Sequence, residues 1–248
     1  MRQWGIIGGT GAVDLLERQH EQTFDTPWGA PSSRLAQVDL GGVPVWFLAR
    51  HGNPHRIAPH RVNYQANVAA LQQAGVTDLI AINAVGGIDP GLAPGDLVVP
   101  DQLIDYTWGR ESTFANDGDR PLVHVEFGRP FSELLRQDLL KAASGLDLRV
   151  HEGGCCAVTQ GPRLETEAEV GRLSRDGATL VGMTSMPEAV LAREIGLNYA
   201  SLCVVANAAA GVAGEAISLD EIDRVLQRAM GTVRELIKAV CSSSVPAA

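Results

Sequence analysis

The feature that most constrains this chain is a set of short apolar runs, rich in Val and Ile, separated by stretches with helical periodicity. Each run is almost continuously hydrophobic, which is typical of strands covered on both faces in a mixed or mostly parallel sheet. The runs lie at Trp4–Ile7, Val43–Leu48, Leu79–Ile82, Leu97–Val99, Leu180–Met183 and Tyr199–Ala206. They predict an α/β fold with a central mixed β-sheet flanked by helices.

Helical patterns fill several of the gaps between these runs. The clearest one spans Leu219–Val240, where apolar residues recur at i, i+3, i+4 and i+7 and predict an amphipathic helix. Ser218 with Glu221, and Ser185 with Glu188, have the spacing of capping boxes, in which two side chains satisfy the first backbone N–H groups of a helix. We therefore expect helices to begin at both places.

Composition limits the class of protein. An apolar content of 45% and the absence of any long apolar run predict a soluble protein without a membrane span. The formal net charge of -9 argues against nucleic acid or an anionic membrane as a partner. Glycines stand where a signal peptide would have its apolar block, so we expect a cytoplasmic location and reduced cysteines. Without repeats or linkers, we expect one domain over residues 1–241 and a disordered tail over 242–248.

Against this acidic background, the stretch ARHGNPHRIAPHRVNY (residues 49–64) gathers three arginines and three histidines and no carboxylate. Three interpretations compete. His51, His55 and His60 could bind a metal, although two prolines disfavour a single helical face. A solvated basic surface is the plainest alternative. An oxyanion site explains more, because arginine forks bind phosphate, an imidazole adds a donor, and the stretch follows a strand, where open α/β sheets place ligand groups.

Three further strand ends have residues suited to a ligand. GIIGGTGAV (Gly5–Val13) forms a glycine turn that can present backbone N–H groups and the Thr10 hydroxyl to an anion. NAVGG (Asn83–Gly87) has small residues that let a ligand approach the backbone. In MTSMPE, Thr184 precedes a helix start that favours negative charge, and Met183 offers an adaptable apolar surface. Each alone has a purely structural explanation, but four such ends together favour an anion site.

Five blocks of the sequence together resemble one protein family. GIIGGTG, ARHG…H…VNYQAN, NAVGGI with PGDLVVPDQLIDYT, QGPRLETEAE and GMTSMPEAVLARE are similar, in order and spacing, to trimeric purine nucleoside phosphorylases and methylthioadenosine phosphorylases. The resemblance runs from about Trp4 to Val240. It implies a single-domain nucleoside-phosphorylase fold, a homotrimer with active sites near the subunit interfaces, and no metal or other cofactor, with inorganic phosphate as co-substrate.

The resemblance also implies roles for individual residues. The implied phosphate contacts are Thr10, Arg50, His51, the backbone of Asn83 and Ala84, and Thr184. The implied nucleoside contacts are Leu164, Glu165, Met183, Asn207, Ala208, Ala209, His55 toward the 5′ substituent, and His124 from a neighbouring subunit. Among them, Asn207, His51 and Glu165 are expected to act in catalysis. Arg56, His60 and Arg61 are expected to face solvent.

Two positions bear on which purine is cleaved. Methylthioadenosine phosphorylases in this family usually carry two aspartates where this chain has Asn207 and Ala209, whereas relatives that cleave inosine and guanosine carry an Asn and a Glu that matches Glu165. A carboxylate accepts from a 6-amino group but faces the lone pairs of a 6-oxo group, to which an amide can donate. Mismatched buried partners cost about 1–3 kcal/mol each, so the pair predicts a 6-oxopurine. Asn207 could instead simply cap a strand end.

His124 bears on the 5′ substituent of the nucleoside and, through it, on the overall activity. His124, in LVHVEF, resembles the methylthio branch of the family, although a single histidine is equally an ordinary, partly buried residue. Together with the base pattern it predicts phosphorolysis of S-methyl-5′-thioinosine to hypoxanthine and 5-methylthioribose 1-phosphate. The alternatives are an inosine or guanosine phosphorylase, a methylthioadenosine phosphorylase, a nucleoside-binding protein without turnover, and an oxidoreductase with a nucleotide cofactor on the glycine turn, whose dinucleotide fingerprint is incomplete.

Overall fold

A computed structural model describes residues 2–9, 11–12, 18–116, 118, 120–214 and 217–243. The strands in these ranges are β1 (Trp4–Gly8), β2 (Arg18–Gln22), β3 (Leu35–Asp39), β4 (Pro44–Ala49), β5 (Asp78–Gly87), β6 (Leu97–Val99), β7 (Gln102–Asp105), β8 (Val150–Glu152), β9 (Cys155–Val158), β10 (Leu180–Gly182) and β11 (Asn198–Ala208). The helices are α1 (Tyr64–Gln73), α2 (Glu133–Gly145), α3 (Glu167–Arg175), α4 (Ser185–Glu194) and α5 (Leu219–Ser243), with a short 3-10 turn at Pro59–Arg61.

The strands form one mixed sheet with β5 at its centre. β1 and β11 pair in parallel with β5, and they start at the same level, because Trp4 and Asn198 both lie opposite Asp78. Beyond β1 the sheet continues through β4, β3 and β2. The last residues of β5 pair antiparallel with β10, which leads to β9 and β7, while β11 leads to β6 and β8. The sheet therefore divides near the carboxyl end of β5.

Alternate residues of the central strands pack on opposite faces of the sheet. Ile80 and Ile82 belong to an apolar cluster shared with α2 and α5, whereas Leu79 and Ala81 belong to a second cluster shared with α1 and α4. Both faces of β5 are therefore covered, which explains why its sequence is a continuous apolar run. The α/β fold with a central mixed sheet flanked by helices is confirmed. All four cysteines are free thiols.

The predicted strands are all present, and two of them extend beyond the carboxyl ends of their apolar runs by more than one residue. β5 continues beyond Ile82 to Gly87, and β11 continues beyond Ala206 to Ala208, so residues expected to follow these strands lie within them. The pairing of β11 with β5 shifts register just before Asn207, which marks a bulge. The edge strand β2 and its neighbour β3 include polar residues instead of a continuous apolar run, so the sequence pattern does not predict them.

The terminal helix α5 agrees with the prediction at its start and is longer at its end. The Glu221 N–H donates to the Ser218 hydroxyl at 3.4 Å, which is one half of the predicted capping box. The helix runs through Ser243, so the first two residues of the predicted tail are helical. The rest of that tail, residues 244–248, lies outside the described residues. Within the described ranges, no helix combines the length and apolar character needed to cross a membrane.

Candidate active site

A cavity of about 630 Å³ opens where the ends of β1, β4, β5, β10 and β11 approach one another. Its volume is within the usual range for small-molecule sites, and its position at strand ends is typical of open α/β sheets. Most of the residues that the sequence singled out line it: Arg50, His51, His55, Ala84, Leu164, Glu165, Met183, Thr184, Asn207 and Ala209. The fold thus brings five separate parts of the chain to one place.

Arg50 directly follows β4, and its side chain is completely buried. Its Nε and Nη2 groups donate to the two carboxylate oxygens of Glu188 at 2.7 and 2.8 Å, and Nη1 donates to the Ile82 carbonyl oxygen at 3.1 Å. The Tyr199 hydroxyl also donates to Glu188, at 2.9 Å. A β-carbon at Gly9 would lie 2.9 Å from Nη1, so this glycine makes room for the guanidinium.

The ion pair balances the charge of Arg50 inside the protein. Burial lowers the pKa of the guanidinium, but attraction to the Glu188 carboxylate outweighs burial and raises that pKa above its ordinary value. Within the described residues, Glu188 and Ile82 occupy three of the five N–H groups of Arg50, and the other two are left for a ligand. The Arg50 guanidinium, which the sequence assigned to an oxyanion, therefore donates mainly to a protein carboxylate.

The predicted Ser185–Glu188 capping box is wrong. α4 is capped by Thr184 without a side-chain hydrogen bond, and Met186 has non-helical backbone angles, φ -117° and ψ 135°. The buried Glu188 carboxylate binds Arg50 instead of the helix N-terminus. Sequence spacing could not reveal this, because a capping box is local whereas the ion pair joins residues 138 positions apart.

His51 lies beside Arg50 and is held in one tautomer. Its Nδ1 is 2.8 Å from the Ile57 carbonyl oxygen, and because a carbonyl only accepts, Nδ1 carries the proton. Burial, with a smaller contribution from the Arg50 charge, lowers the pKa of His51 to about 4. The ring is therefore neutral at pH 7, and its Nε2 is an acceptor instead of the predicted donor. The His55 ring stacks on it, with the ring centroids 4.4 Å apart.

Thr184 connects β10 to α4 and belongs to a buried chain of hydrogen bonds. Its hydroxyl donates to Oδ1 of Asn83 at 3.0 Å, and Nδ2 of Asn83 donates to the Ser201 hydroxyl oxygen at 2.6 Å. The side chain of Asn83 therefore supports Thr184, while the next residue, Ala84, lines the cavity. Because the Thr184 proton is given to Asn83, its oxygen offers lone pairs to a ligand.

Asn207 and Glu165 bring an amide and a carboxylate to the cavity. Asn207 follows the bulge in β11, and bulges commonly re-aim a side chain beside a site. One of its amide hydrogens is donated to the Ala208 carbonyl oxygen at 2.7 Å. Oε1 of Glu165 accepts from the Thr159 hydroxyl at 2.5 Å. Among the described residues these bonds leave the other amide hydrogen of Asn207 and Oε2 of Glu165 for a ligand.

Three apolar residues line the cavity although the sequence did not assign them to a site: Ile217, Leu219 and Ile222. They lie just before and within the first turn of α5. The helical periodicity assigned Leu219 and Ile222 to a core-facing side, yet Leu219 is 68% exposed. The available signal was an apolar residue beside two acidic ones in the first turn of the helix, but periodicity cannot show which residues of a helix border a cavity.

The remaining residues that the sequence singled out differ in their placement. Thr10 lies outside the described residues. Ala208 is part of β11 but is not among the lining residues, and His124 is exposed in an irregular segment of the same chain. Arg56, His60 and Arg61 are exposed, as predicted, although Arg56 also borders the cavity. In the described part of the chain, no three His, Cys, Asp or Glu side chains are grouped as metal ligands would be.

A sequence model of the phosphorylase superfamily matches residues 3–242, which is nearly the whole chain. The chain belongs to the phosphorylase superfamily. The resemblance drawn from its five sequence blocks is therefore confirmed, and the cavity at the strand ends is the candidate active site of this phosphorylase.

Relatives of this phosphorylase include proteins with two names that bear on the substrate. A "probable S-methyl-5′-thioinosine phosphorylase" of Xylella fastidiosa is 51% identical over 95% of this chain and 96% of the relative, and one of Pseudomonas syringae pv. tomato is 47% identical over 98% and 100%. A "6-oxopurine nucleoside phosphorylase" of Pyrococcus furiosus is 40% identical over 96% and 92%.

Solved structures agree on the fold. A methylthioadenosine phosphorylase from Schistosoma mansoni in complex with adenine superimposes with a TM-score of 0.92, at 34% identity, over 98% of this chain and 92% of that one. The single-domain nucleoside-phosphorylase fold expected from the sequence is therefore confirmed.

Removing Glu188 should destabilise this phosphorylase strongly. Glu188→Ala leaves the buried Arg50 charge unpaired, which typically lowers the free energy of unfolding by about 3–5 kcal/mol. Arg163→Ala is the control, because it removes only the exposed pair with Glu169 and should have little effect. Urea unfolding followed by circular dichroism measures both variants, and equal losses would contradict a special role for the buried pair.

Stability should also depend on pH through His51. Its folded pKa of about 4 is below the ordinary 6.5, so between these values the unfolded chain binds a proton that the folded chain does not. The contribution of His51 to the free energy of unfolding is full above pH 6.5 and is lost as the pH falls to 4, by on the order of 3 kcal/mol. His51→Gln should flatten this part of a pH series of urea titrations, and an unaltered slope would mean that the ring is charged in the folded protein.

Proposed function

We propose that this phosphorylase cleaves a 6-oxopurine nucleoside with inorganic phosphate, and that S-methyl-5′-thioinosine is its preferred substrate. The products are then hypoxanthine and 5-methylthioribose 1-phosphate. The observation that carries the proposal is that Asn207 and Glu165 line one cavity. Ala209 lines it too, and like Asn207 it stands where an aspartate would suit adenine. The names of those relatives support the same class of substrate.

The base is recognised by complementary donors and acceptors. The free amide hydrogen of Asn207 donates to O6 or N7 of the purine, and Oε2 of Glu165 accepts from N1–H. An adenine would set its 6-amino group against the amide hydrogen and its unprotonated N1 against the carboxylate. Mismatches of this kind cost about 1–3 kcal/mol each when they are buried. Leu164 and Met183 add apolar surface beside the base in this proposal.

Phosphate binds, in this proposal, among the five groups implied by the family resemblance: Thr10, Arg50, His51, the Asn83–Ala84 backbone, and Thr184. The support is that Arg50, His51, Ala84 and Thr184 line one cavity together with Gly9 of the glycine turn. The N–H groups of Arg50 that Glu188 leaves unused donate to phosphate oxygens. The acceptors Nε2 of His51 and Oγ1 of Thr184 suit a hydroxyl, whether on a protonated phosphate or on the ribose.

The reaction follows from placing phosphate beneath the anomeric carbon. A phosphate oxygen forms a bond to C1′ as the C1′–N9 bond breaks, and the bonding electrons pass to the purine, where N7 and O6 become more negative. Asn207 stabilises that charge by donating a hydrogen bond, and phosphate stabilises the positive charge on the sugar. Catalysis then rests on positioning and electrostatic stabilisation, without a covalent enzyme intermediate and with no cofactor beyond phosphate.

The apolar part of the cavity fits a methylthio group. Ile217, Leu219 and Ile222 offer no hydrogen-bonding side chain, so they favour a 5′-methylthio group over a 5′-hydroxyl. His55 borders the 5′ side in this proposal, and His124 reaches it from a neighbouring subunit of a homotrimer. The trimer, the role of His124 and the cytoplasmic location stay predictions from the sequence and its resemblance.

Phosphorolysis of inosine or guanosine is the second candidate. The 40% identical relative named as a 6-oxopurine nucleoside phosphorylase favours it, since that name specifies the base and leaves the 5′ group open. The same cavity would then admit a 5′-hydroxyl, for which His55 is a possible partner.

A substrate panel tests the proposal. Methylthioinosine, inosine, guanosine and methylthioadenosine are incubated with the protein, with and without phosphate, and free base is measured by chromatography. We expect base release to require phosphate and kcat/KM to be highest for methylthioinosine. A preference for inosine or guanosine would select the second candidate. A preference for methylthioadenosine would overturn the base assignment, and binding without turnover would leave a nucleoside-binding protein.

Changing Asn207 to Asp should shift the preference toward 6-amino purines. The carboxylate cannot donate to O6 or N7 of a 6-oxopurine, so kcat on methylthioinosine should fall on the order of 10²–10³-fold, as for other donors to a developing negative charge. Asn207→Ala is the control that removes the donor without adding an acceptor. The ratio of kcat/KM values for methylthioadenosine and methylthioinosine should rise more in Asn207→Asp than in Asn207→Ala, and an unchanged ratio would mean that another residue reads the base.

A further inference from the structure

Arg110 lies in the loop after β7 and donates hydrogen bonds to four backbone carbonyl groups. Its Nη2 reaches the carbonyl oxygens of Thr159 and Gln160 at 3.2 and 2.9 Å. Its Nη1 reaches those of Met183 and Met186 at 2.8 and 2.6 Å. The first two carbonyls follow β9, and the other two belong to the connection from β10 into α4. One guanidinium therefore joins two neighbouring segments of the sheet at their carboxyl ends.

Side chains complete the environment of Arg110. Its Nε donates to the Gln160 side-chain oxygen at 3.2 Å, and Nη1 is 3.3 Å from the Tyr64 hydroxyl oxygen. In the described part of the chain no carboxylate forms an ion pair with it, and burial lowers its pKa from the ordinary value. The Arg110 guanidinium therefore binds the backbone, not a counter-ion. It can hold the backbone because its planar set of N–H donors spans several acceptors.

Each segment held by Arg110 carries one of the proposed substrate contacts. Thr159 gives its carbonyl to Arg110 and its hydroxyl to Glu165, at 2.5 Å. Met183 and Met186 flank Thr184, whose oxygen borders the cavity. Arg110 itself is not among the described residues that line the cavity, so its influence on a ligand passes through these two segments.

We propose that Arg110 is a positioning residue that sets the spacing between Glu165 on the base side and Thr184 on the phosphate side of the active site. The proposal rests on the proposed function, since it assigns Glu165 to the purine and Thr184 to phosphate. Strand-end carbonyls need donors, and a donor shared between two strand ends fixes their separation as well as satisfying them. Loss of the Arg110 guanidinium frees the segment after β9 and the segment after β10 together, so the binding of both nucleoside and phosphate is weakened.

Arg110→Met and Arg110→Lys test this assignment. Methionine keeps much of the side-chain length without donors, and lysine keeps the charge but cannot span four carbonyls. The control is Arg136→Met, since Arg136 is a buried arginine that, like the half-buried Arg110, donates to a backbone carbonyl, that of Pro100 at 3.0 Å, and it does not line the cavity. Steady-state kinetics with methylthioinosine and phosphate, each varied in turn, give kcat and both KM values.

We expect Arg110→Met to raise both KM values and to lower kcat/KM on the order of 10- to 100-fold, because small displacements of positioned groups are costly. Arg110→Lys should raise both KM values less. Arg136→Met should leave both KM values unchanged, and partial unfolding of any variant would lower kcat alone. The proposal would be overturned if both KM values of Arg110→Met stayed within twofold of wild type. A rise in only one of the two KM values would overturn it as well. If Arg110→Met does not fold, the same criteria apply to Arg110→Lys.

Hydrogen exchange supplies a readout that does not need turnover. Backbone amides in residues 159–165 and 183–186 should both exchange faster in Arg110→Lys than in wild type, because local opening follows the loss of shared hydrogen bonds. Faster exchange in neither segment, or in one alone, would overturn the joint role of Arg110. If the wild-type protein released no base from any nucleoside while both segments still loosened together, the proposed function would fail and the structural role of Arg110 would stand.

Discussion

The buried ion pair between Arg50 and Glu188 is the interaction on which the site depends. It joins the end of β4 to α4, and Tyr199 of β11 donates to the same carboxylate. Neither charge reaches water, so each is tolerable only in the presence of the other. The glycine turn after β1 must also pass close to the guanidinium, which a side chain at Gly9 would displace. The ends of β1 and β4, the Tyr199 side chain of β11 and the helix α4 are thereby fixed beside a single cavity.

This arrangement changes how an anion can be bound. The charge of Arg50 is balanced by Glu188, and His51 is neutral because burial and Arg50 lower its pKa. Binding must therefore rely on a few directed hydrogen bonds, not on a strong positive potential. In a low-dielectric cavity, fixed donors of this kind are effective because they need little rearrangement when charge develops.

Sequence and structure disagree most where a residue's partner is distant along the chain. The runs of Val and Ile located the central strands, and helical periodicity located α5, because burial on one or two faces leaves a local pattern. The Ser185–Glu188 spacing suggested a cap, but Glu188 binds a residue 138 positions away. Arg110 lies just after the block that ends at Thr107 and has no distinguishing local feature, and its carbonyl partners lie 49 to 76 positions further on.

By itself, the sequence determined the class of fold, the strands and helices of the centre, the family, and ten of the residues that line the cavity. These follow from local periodicity and from motifs that each occupy a short stretch. The tertiary structure alone decided that Arg50 is already paired, which nitrogen of His51 carries its proton, and how far β5 and β11 extend. Those properties depend on burial and on partners from distant segments, and such partners come together when the sheet assembles.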